Sequence, residues 1–293
     1  MMQKVKAILK LTRVEHGVMV SLAILVGALI VKGLKVSDEE LTRVAIGSVV
    51  GLFVEMGVFG FNDYFNVEED KINSPDRPLV RGDLSLREAL ILSSVFLGIG
   101  ISLPWCVPFR LSLNSTILLY SVVMLDMGYN TFLKKYGPIG NLAVSLSTAV
   151  PFIYGALLVI ELSEIPLHLW IFFLIAFLAT FSREIIKDVR DAPGDLKAGL
   201  ITLPHIIGAE MCYRVASYLM VTAVLLSLMA AFLVKNKIVY LTVVSLTDFI
   251  LLYSLVTLRK TEKLQFKETL DKFRRLSLIG MAIGIIAFLV SSL

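Results

Sequence analysis

Two short stretches hold most of the chemistry this sequence offers. The first reads Asn62-Asp63-Tyr64-Phe65-Asn66-Val67-Glu68-Glu69-Asp70, and the second Asp188-Val189-Arg190-Asp191-Ala192-Pro193-Gly194-Asp195. Oxygen-bearing side chains fall at 63, 66 and 70 in one and at 188, 191 and 195 in the other. Both sets follow the spacing i, i+3, i+7, and the two are offset by 125 residues throughout. On a continuing helix that spacing lines each set on one face over about two turns. Pro193 and Gly194 are residues that end helices, so Asp195 is expected to reach in from a turn if the second helix stops there. Carboxylates gathered in one place repel one another and are costly to desolvate unless a cation sits among them. The candidate ligands Asn62, Asp63, Asn66, Asp70, Asp188, Asp191 and Asp195 are all hard oxygen donors. With no histidine or cysteine among them they favour Mg²⁺, with Mn²⁺ or Ca²⁺ as alternatives. Mg²⁺ commonly bridges one or two carboxylates to substrate phosphates. Lys71, Arg77, Arg81, Arg183, Lys187 and Arg190 lie close by in sequence, so the pattern points to a metal–diphosphate site.

The elements that must position these residues are membrane helices. Of 293 residues, 57% are hydrophobic and 18% charged, with a mean hydropathy of +0.82. Soluble domains run about 45–50% apolar and about 25% charged, so a soluble enzyme with one aqueous core is excluded, as is a disordered chain. Two cysteines (Cys106, Cys212) and three histidines (His16, His168, His205) make a disulfide framework or a Cys/His metal site implausible. Nine stretches approach the length of about 20 apolar residues needed to cross a bilayer. They are 17–34, 41–61, 87–106, 112–128, 139–160, 167–187, 211–234, 237–257 and 275–292. The expected fold is therefore all-α: a multi-pass membrane protein of one domain, 1–293, with nine transmembrane helices. The two acidic stretches follow spans two and six in long loops, 62–86 and 188–210, and the four-span offset suggests an internal pseudo-repeat.

Lysine and arginine set the orientation, because cytoplasmic loops carry them in excess. The side holding the N-terminus and the loops after spans two, four, six and eight carries 22 of them. The other side carries six: Lys32, Lys35, Arg43, Arg110, Lys235 and Lys237. The expectation is a cell-membrane protein whose N-terminus and acidic loops are cytoplasmic. The basic excess is thereby explained without nucleic acid. The run Arg259–Arg275, with seven basic residues, reads as a connecting loop with a short surface helix touching anionic lipid.

At these residues the chain resembles the UbiA superfamily of intramembrane polyprenyltransferases. That family carries N-D-x-x-D-x-x-x-D after span two and D-x-x-D-x-x-x-D after span six. Here the first becomes Asn62-Asp63-x-x-Asn66-x-x-x-Asp70, and the second is intact at Asp188, Asp191 and Asp195. The resemblance extends through Asn73-Ser74-Pro75-Asp76-Arg77-Pro78-Leu79-Val80-Arg81-Gly82, through Tyr129, Lys134 and Asn141, and through Arg183-Glu184-Ile185-Ile186-Lys187. Asn66 departs from the pattern: its amide oxygen can ligate a metal but brings no charge. Glu69 flanks the same face and partly compensates, whereas Glu68 points away.

The resemblance implies Mg²⁺-assisted prenyl transfer from an allylic diphosphate donor. Asp63, Asp70, Asp188 and Asp191 would be catalytic, and Arg77, Lys134, Lys187 and Arg183 would bind the diphosphate. Arg81, Tyr129, Asn141 and Arg190 are candidate contacts for the acceptor or the allylic cation. Aromatic faces such as Tyr64, Phe65, Tyr129 or Phe181 could shield that cation. The acceptor it implies is the hydroxyl of geranylgeranylglyceryl phosphate, an archaeal ether-lipid precursor. The alternative is an aromatic acceptor such as a quinone, haem or chlorin precursor. A cation transporter is a further reading, since Glu55, Asp126 and Asp248 lie within spans. Against it, the strong acids cluster at helix ends and the repeats are parallel. Oligomeric state is not legible in the sequence.

Overall fold

The computed structural model describes residues 2–106, 111–197, 199–259 and 266–292, and they form an assembly of helices. In chain order these are α1 (Met2–Thr12), α2 (Val14–Lys32), α3 (Asp38–Phe65), α4 (Val67–Asn73), α5 (Pro78–Arg81), α6 (Leu86–Ser102) and α7 (Leu113–Thr131). Then follow α8 (Pro138–Leu157), α9 (Leu167–Lys197), α10 (Leu203–Ile207), α11 (Ala209–Ala230), α12 (Lys237–Arg259) and α13 (Phe266–Ser292). Eight of the long helices are long and apolar enough to cross a membrane. The fourth expected span, α7, is long enough at 19 residues, but Asn114, Asp126 and Asn130 make it less apolar than the others. Two short helices, α4 and α5, lie between the long pairs α2–α3 and α6–α7, and one, α10, lies between the long pairs α8–α9 and α11–α12.

Local sequence explains where these helices start. Ser37 and Glu40 form a capping box at the start of α3, and Ser85 and Glu88 form another at α6. Each satisfies backbone N–H groups that have no partner within the helix. Two apolar cores meet along α2 and α8. One, around Ile24, Val50, Val54 and Tyr154, joins α2, α3 and α8. The other, around Phe152, Phe172, Met220 and Phe288, joins α8 and α9 to α11–α13. At the seam between α2 and α8 the backbones touch. A Cβ on Gly27 would lie 2.0 Å from Phe152 O, and one on Gly155 would lie 1.9 Å from Ile24 O. Small residues allow this close approach, which supplies packing between helices where lipid offers no hydrophobic driving force.

Three expectations need correction. First, α9 does not end at Pro193 but runs through it to Lys197. The tail is held from outside: His205 Nδ1 accepts from Thr202 N at 3.1 Å, and its Nε2 lies 3.1 Å from Ala192 O. At about 1.5 Å per residue the helix spans roughly 46 Å, well beyond a hydrocarbon core of about 30 Å. Second, the stretches 62–86 and 188–210 are not loops for most of their length. They contain the ends of α3 and α9 together with α4, α5 and α10. Third, among the described residues no separate surface helix precedes the last span. Residues 266–275 are the first turns of α13, while 260–265 lie outside the described residues.

Candidate functional site

The first acidic stretch bends, and the set that shares a side is 62, 66 and 70 rather than the expected 63, 66 and 70. α3 closes at Phe65 and α4 opens at Val67, with Asn66 between them at φ −104° and ψ 15°. Asn66 N still donates to Asn62 O at 3.1 Å, and Asp70 N to Asn66 O at 2.9 Å. The side chains at 62, 66 and 70 therefore stay on one side. The second stretch stays on one face because α9 is unbroken. Asn73 joins the two: its Nδ2 donates to Asp195 Oδ1 at 3.3 Å. Gly194 makes room for that contact, since a Cβ there would lie 2.1 Å from Asn73 Oδ1.

Between the stretches lies a polar cleft of about 70 Å³. Asn62, Asn66, Asp70, Asp188, Asp191 and Asp195 all line it. Asp63 sits behind its wall, 1% exposed. Its Oδ1 accepts from Arg13 Nη2 at 2.9 Å and also from Arg77 Nη1. Arg77 Nε lies 3.8 Å from Asp70. Lys134 donates to Asn66 Oδ1 at 2.9 Å and pairs with Glu69. Asn141 Nδ2 donates to Asp188 Oδ2 at 2.7 Å. Arg190 bridges Asp191 at 2.6 Å and Asp271 at 2.9 Å. Glu184 is buried and neutralised by Lys187 at 2.5 Å and Arg183 at 3.2 Å.

Charge shapes this site. Six cations (Arg13, Arg77, Lys134, Lys187, Arg190 and Arg274) and five carboxylates (Glu69, Asp70, Asp188, Asp191 and Asp195) line the cleft, so the protein nearly balances its own acids. Burial pushes the Asp70 carboxyl up to about 6; Arg77 pulls it down and Asp63 pushes it further up. Burial, then Arg77, lower the Arg13 guanidinium against the opposing pull of Asp63. Burial also acts to lower Arg77, but Asp63 and Asp70 outweigh it and raise the group. Asp63 Oδ2 is buried without a hydrogen-bond partner. The side chains that line the cleft, Asn62, Asn66, Asp70, Asp188, Asp191 and Asp195, offer oxygen donors, which suits a hard divalent cation. Among the described residues no three acidic, histidine or cysteine side chains stand close enough to cage an ion in this arrangement. The carboxylates are engaged by arginine, lysine and asparagine instead.

The cleft shares part of its lining with a deeper space among the helices. A second cavity of about 200 Å³ runs among α2, α3, α7, α8, α9 and α11–α13. Five residues line both spaces: Arg13, Asn62, Tyr129, Lys187 and Arg274. Val20, Ala23, Phe152, Ile175 and Phe288 make part of the deeper chamber apolar, while Glu55, Asp126 and Asp248 also face it. Ser227 Oγ donates to Asp248 at 2.7 Å.

Most of the expected site residues meet here. Arg77, Lys134, Lys187, Arg190, Tyr129 and Asn141 line the cleft, and Arg183 lines the chamber. Arg81 does not take part: it is half-exposed and pairs with Asp83 at 3.2 Å. Tyr64, Phe65 and Phe181 line neither cavity, which leaves Tyr129 as the expected aromatic at the junction. Glu68 is exposed and paired with Lys71. The sequence reading passed over Arg13, Asn73, Glu184 and Arg274. Arg13 is the one non-glycine residue with positive φ among the described residues, at 44°. That conformation, costly for a side-chain-bearing residue, breaks α1 from α2 at the residue whose guanidinium meets Asp63. An arginine just before the first apolar span was the available signal, and it reads equally well as an anchor.

Comparison with known proteins gives this geometry a family. The UbiA prenyltransferase family matches residues 20–279. Digeranylgeranylglyceryl phosphate synthase of Archaeoglobus fulgidus is 31% identical over 290 residues, 97% of this chain and 94% of that one. Its counterpart in Methanocaldococcus jannaschii is 31% identical over 296 residues, covering 100% of this chain and 98% of that one. A solved structure described as digeranylgeranylglyceryl phosphate synthase in membranes has a TM-score of 0.70 at 30% identity, covering 99% of this chain and 98% of that one. A UbiA homolog from Archaeoglobus fulgidus bound to DMAPP and Mg²⁺ has a TM-score of 0.67 at 19% identity, covering 96% and 98% of the two chains. Paired acidic motifs at the ends of two membrane helices, joined to a membrane-embedded chamber, stand on a chain that matches one family over most of its length: it belongs to the UbiA prenyltransferase family, and it is an integral membrane enzyme.

Proposed function

We propose that this chain, working as one intramembrane domain with a four-span internal repeat, transfers a geranylgeranyl group from geranylgeranyl diphosphate to the hydroxyl of geranylgeranylglyceryl phosphate. The observation that carries the reading is the junction itself: the cleft holding both acidic motifs shares its wall with a chamber inside the membrane. A donor with a diphosphate head and a C20 tail needs such a pair of spaces, one polar and one apolar. The full-length relatives named for this activity support the choice of acceptor.

Asp70, Asp188, Asp191 and Asp195, with Asn62 and Asn66, line the cleft and would hold Mg²⁺, with Mn²⁺ as a substitute, while Asp63 behind the wall would anchor Arg13 and Arg77. When bound, the metal neutralises the charge that builds on the departing diphosphate. Arg77 and Lys134 add fixed positive charge on the α3–α4 side, and Arg183 and Lys187 on the α9 side. As the bond between the allylic C1 and the diphosphate oxygen breaks, its electron pair leaves with that oxygen. The Tyr129 ring at the junction faces the cation left on the chain. The acceptor hydroxyl oxygen then bonds C1, and its proton passes to a motif carboxylate. The chamber keeps bulk water from the cation, so transfer competes well with hydrolysis. The 22 to 6 split of basic residues supports an N-terminus and active site on the cytoplasmic face of the cell membrane.

The test is incubation of detergent-purified protein with geranylgeranyl diphosphate, geranylgeranylglyceryl phosphate and Mg²⁺, followed by mass spectrometry of the lipid products. The diether should form, vanish with EDTA, and fall at least about a hundredfold in Asp70→Asn and in Asp191→Asn. Unchanged turnover in both variants would refute the metal and base assignments. Prenylation of 4-hydroxybenzoate without any diether would move the acceptor to an aromatic ring.

A further inference from the structure

Both substrates of the proposed reaction are anions, yet most of the cations at the cleft are already committed. Arg13 and Arg77 hold Asp63, Lys134 holds Glu69, Lys187 holds Glu184, and Arg190 holds Asp191 and Asp271. Arg274 of α13 is different. Its nearest carboxylate among the described residues is Asp271, 3.9 Å from Nη1, beyond hydrogen-bond reach. Asp271 is itself engaged by Arg190 at 2.9 Å. Arg274 Nε is buried with no hydrogen-bond partner, a costly state for a guanidinium donor unless something occupies it. Arg274 is also one of the five residues that line both the polar cleft and the membrane chamber.

We propose that Arg274 is the binding residue for the phosphate of the acceptor, at an anion site separate from the metal–diphosphate site. The proposal rests on the lipid-phosphate acceptor argued above and adds the residue that recognises it. The reacting hydroxyl and the phosphate of such an acceptor sit on adjacent carbons. The phosphate must therefore lie beside the place where the donor's C1 is held, at the junction, but off the aspartates that hold the leaving diphosphate. Arg274 comes from α13, whereas the acids come from α3, α4 and α9. A guanidinium can meet a phosphate through two parallel N–H bonds, and Nε with one Nη is such a pair. Lys187 lines the same junction.

The experiment compares geranylgeranylglyceryl phosphate with its dephosphorylated form, geranylgeranylglycerol, as acceptors for the wild type, Arg274→Gln and Arg274→Lys. Donor and Mg²⁺ are kept saturating. In Arg274→Gln the preference for the phosphorylated acceptor, as a ratio of kcat/KM values, should collapse by about 10- to 100-fold, the range for a charge-assisted hydrogen-bond pair. The KM for geranylgeranyl diphosphate should not rise in parallel, and Arg274→Lys should recover part of the preference. Equal losses with both acceptors, at an unchanged melting temperature in detergent, would make Arg274 structural and overturn the proposal. So would an unaltered preference. A wild type that makes no ether from either acceptor would instead remove the reading on which the proposal rests.

Discussion

Gly155→Ala tests whether the α2–α8 seam sets the geometry of a site far along both helices. The added Cβ would lie 1.9 Å from Ile24 O, and the reciprocal change, Gly27→Ala, would put a Cβ 2.0 Å from Phe152 O. A carbon and a carbonyl oxygen pack at about 3.3 Å, so the seam must open by roughly 1.4 Å. The obstacle is backbone on a packed helix, so no side-chain rotation relieves it. Overpacking of this kind costs about 1–3 kcal/mol, which need not unfold the protein. The larger effect falls on the site. Arg13, at the head of α2, holds Asp63 at 2.9 Å, and Asn141, on the first turns of α8, holds Asp188 at 2.7 Å. A shift near 1.4 Å takes both beyond about 3.5 Å, where a hydrogen bond is lost. Misplacement by about 1 Å costs about a hundredfold in rate. The expected result is a drop in kcat/KM of about two orders of magnitude in each variant, with the folded protein still recovered in detergent. Gly98→Ala is the control, since a Cβ there meets nothing within 4 Å, and it should behave as wild type. Wild-type turnover in Gly155→Ala and Gly27→Ala would show that the seam does not hold the site in register.

Two further outcomes follow from the charges at the cleft. Asp70 has its carboxyl raised to about 6 by burial, above the usual value near 3.9. In the metal-free protein the folded state therefore binds the proton more tightly than the unfolded chain does, and Asp70's contribution to stability falls as pH rises from about 4 through about 6. A metal must displace that proton, so divalent affinity, measured by calorimetry, should weaken as pH drops through 6, and Asp70→Asn should flatten that dependence. Asn66→Asp places a full charge beside Lys134, which already donates to the Asn66 amide oxygen at 2.9 Å. It should tighten Mg²⁺ by several-fold in the same titration, and looser binding would mean that the added acid is spent on Lys134.

What the sequence determined follows from periodicity and chemistry that are local. Runs of apolar residues located eight of the nine expected spans, because crossing a bilayer sets a length. The spacing of 188, 191 and 195 placed three carboxylates on one side of a helix end, and that of 66 and 70 did the same for the first stretch, while Asp63 turned behind the wall. Each of these can be read from residues near one another in the chain. The failures have one physical cause in common. Pro193 is a helix breaker by its own chemistry, yet α9 passes through it because His205, outside the helix, holds the tail. Arg81 has the right charge and lies in the matched stretch, but α5 turns it toward Asp83. The roles of Arg13, Asn73 and Arg274 were not legible locally, because their partners or neighbours at the site lie on other helices. Asn73 reaches Asp195 from 122 residues away, and Arg13 reaches Asp63 from 50. Which cation pairs with which acid, and which cation is left for a substrate, depends on how helices cross. Those crossings are set by contacts such as Gly27 on Phe152 and Gly155 on Ile24, and only the tertiary structure decided them.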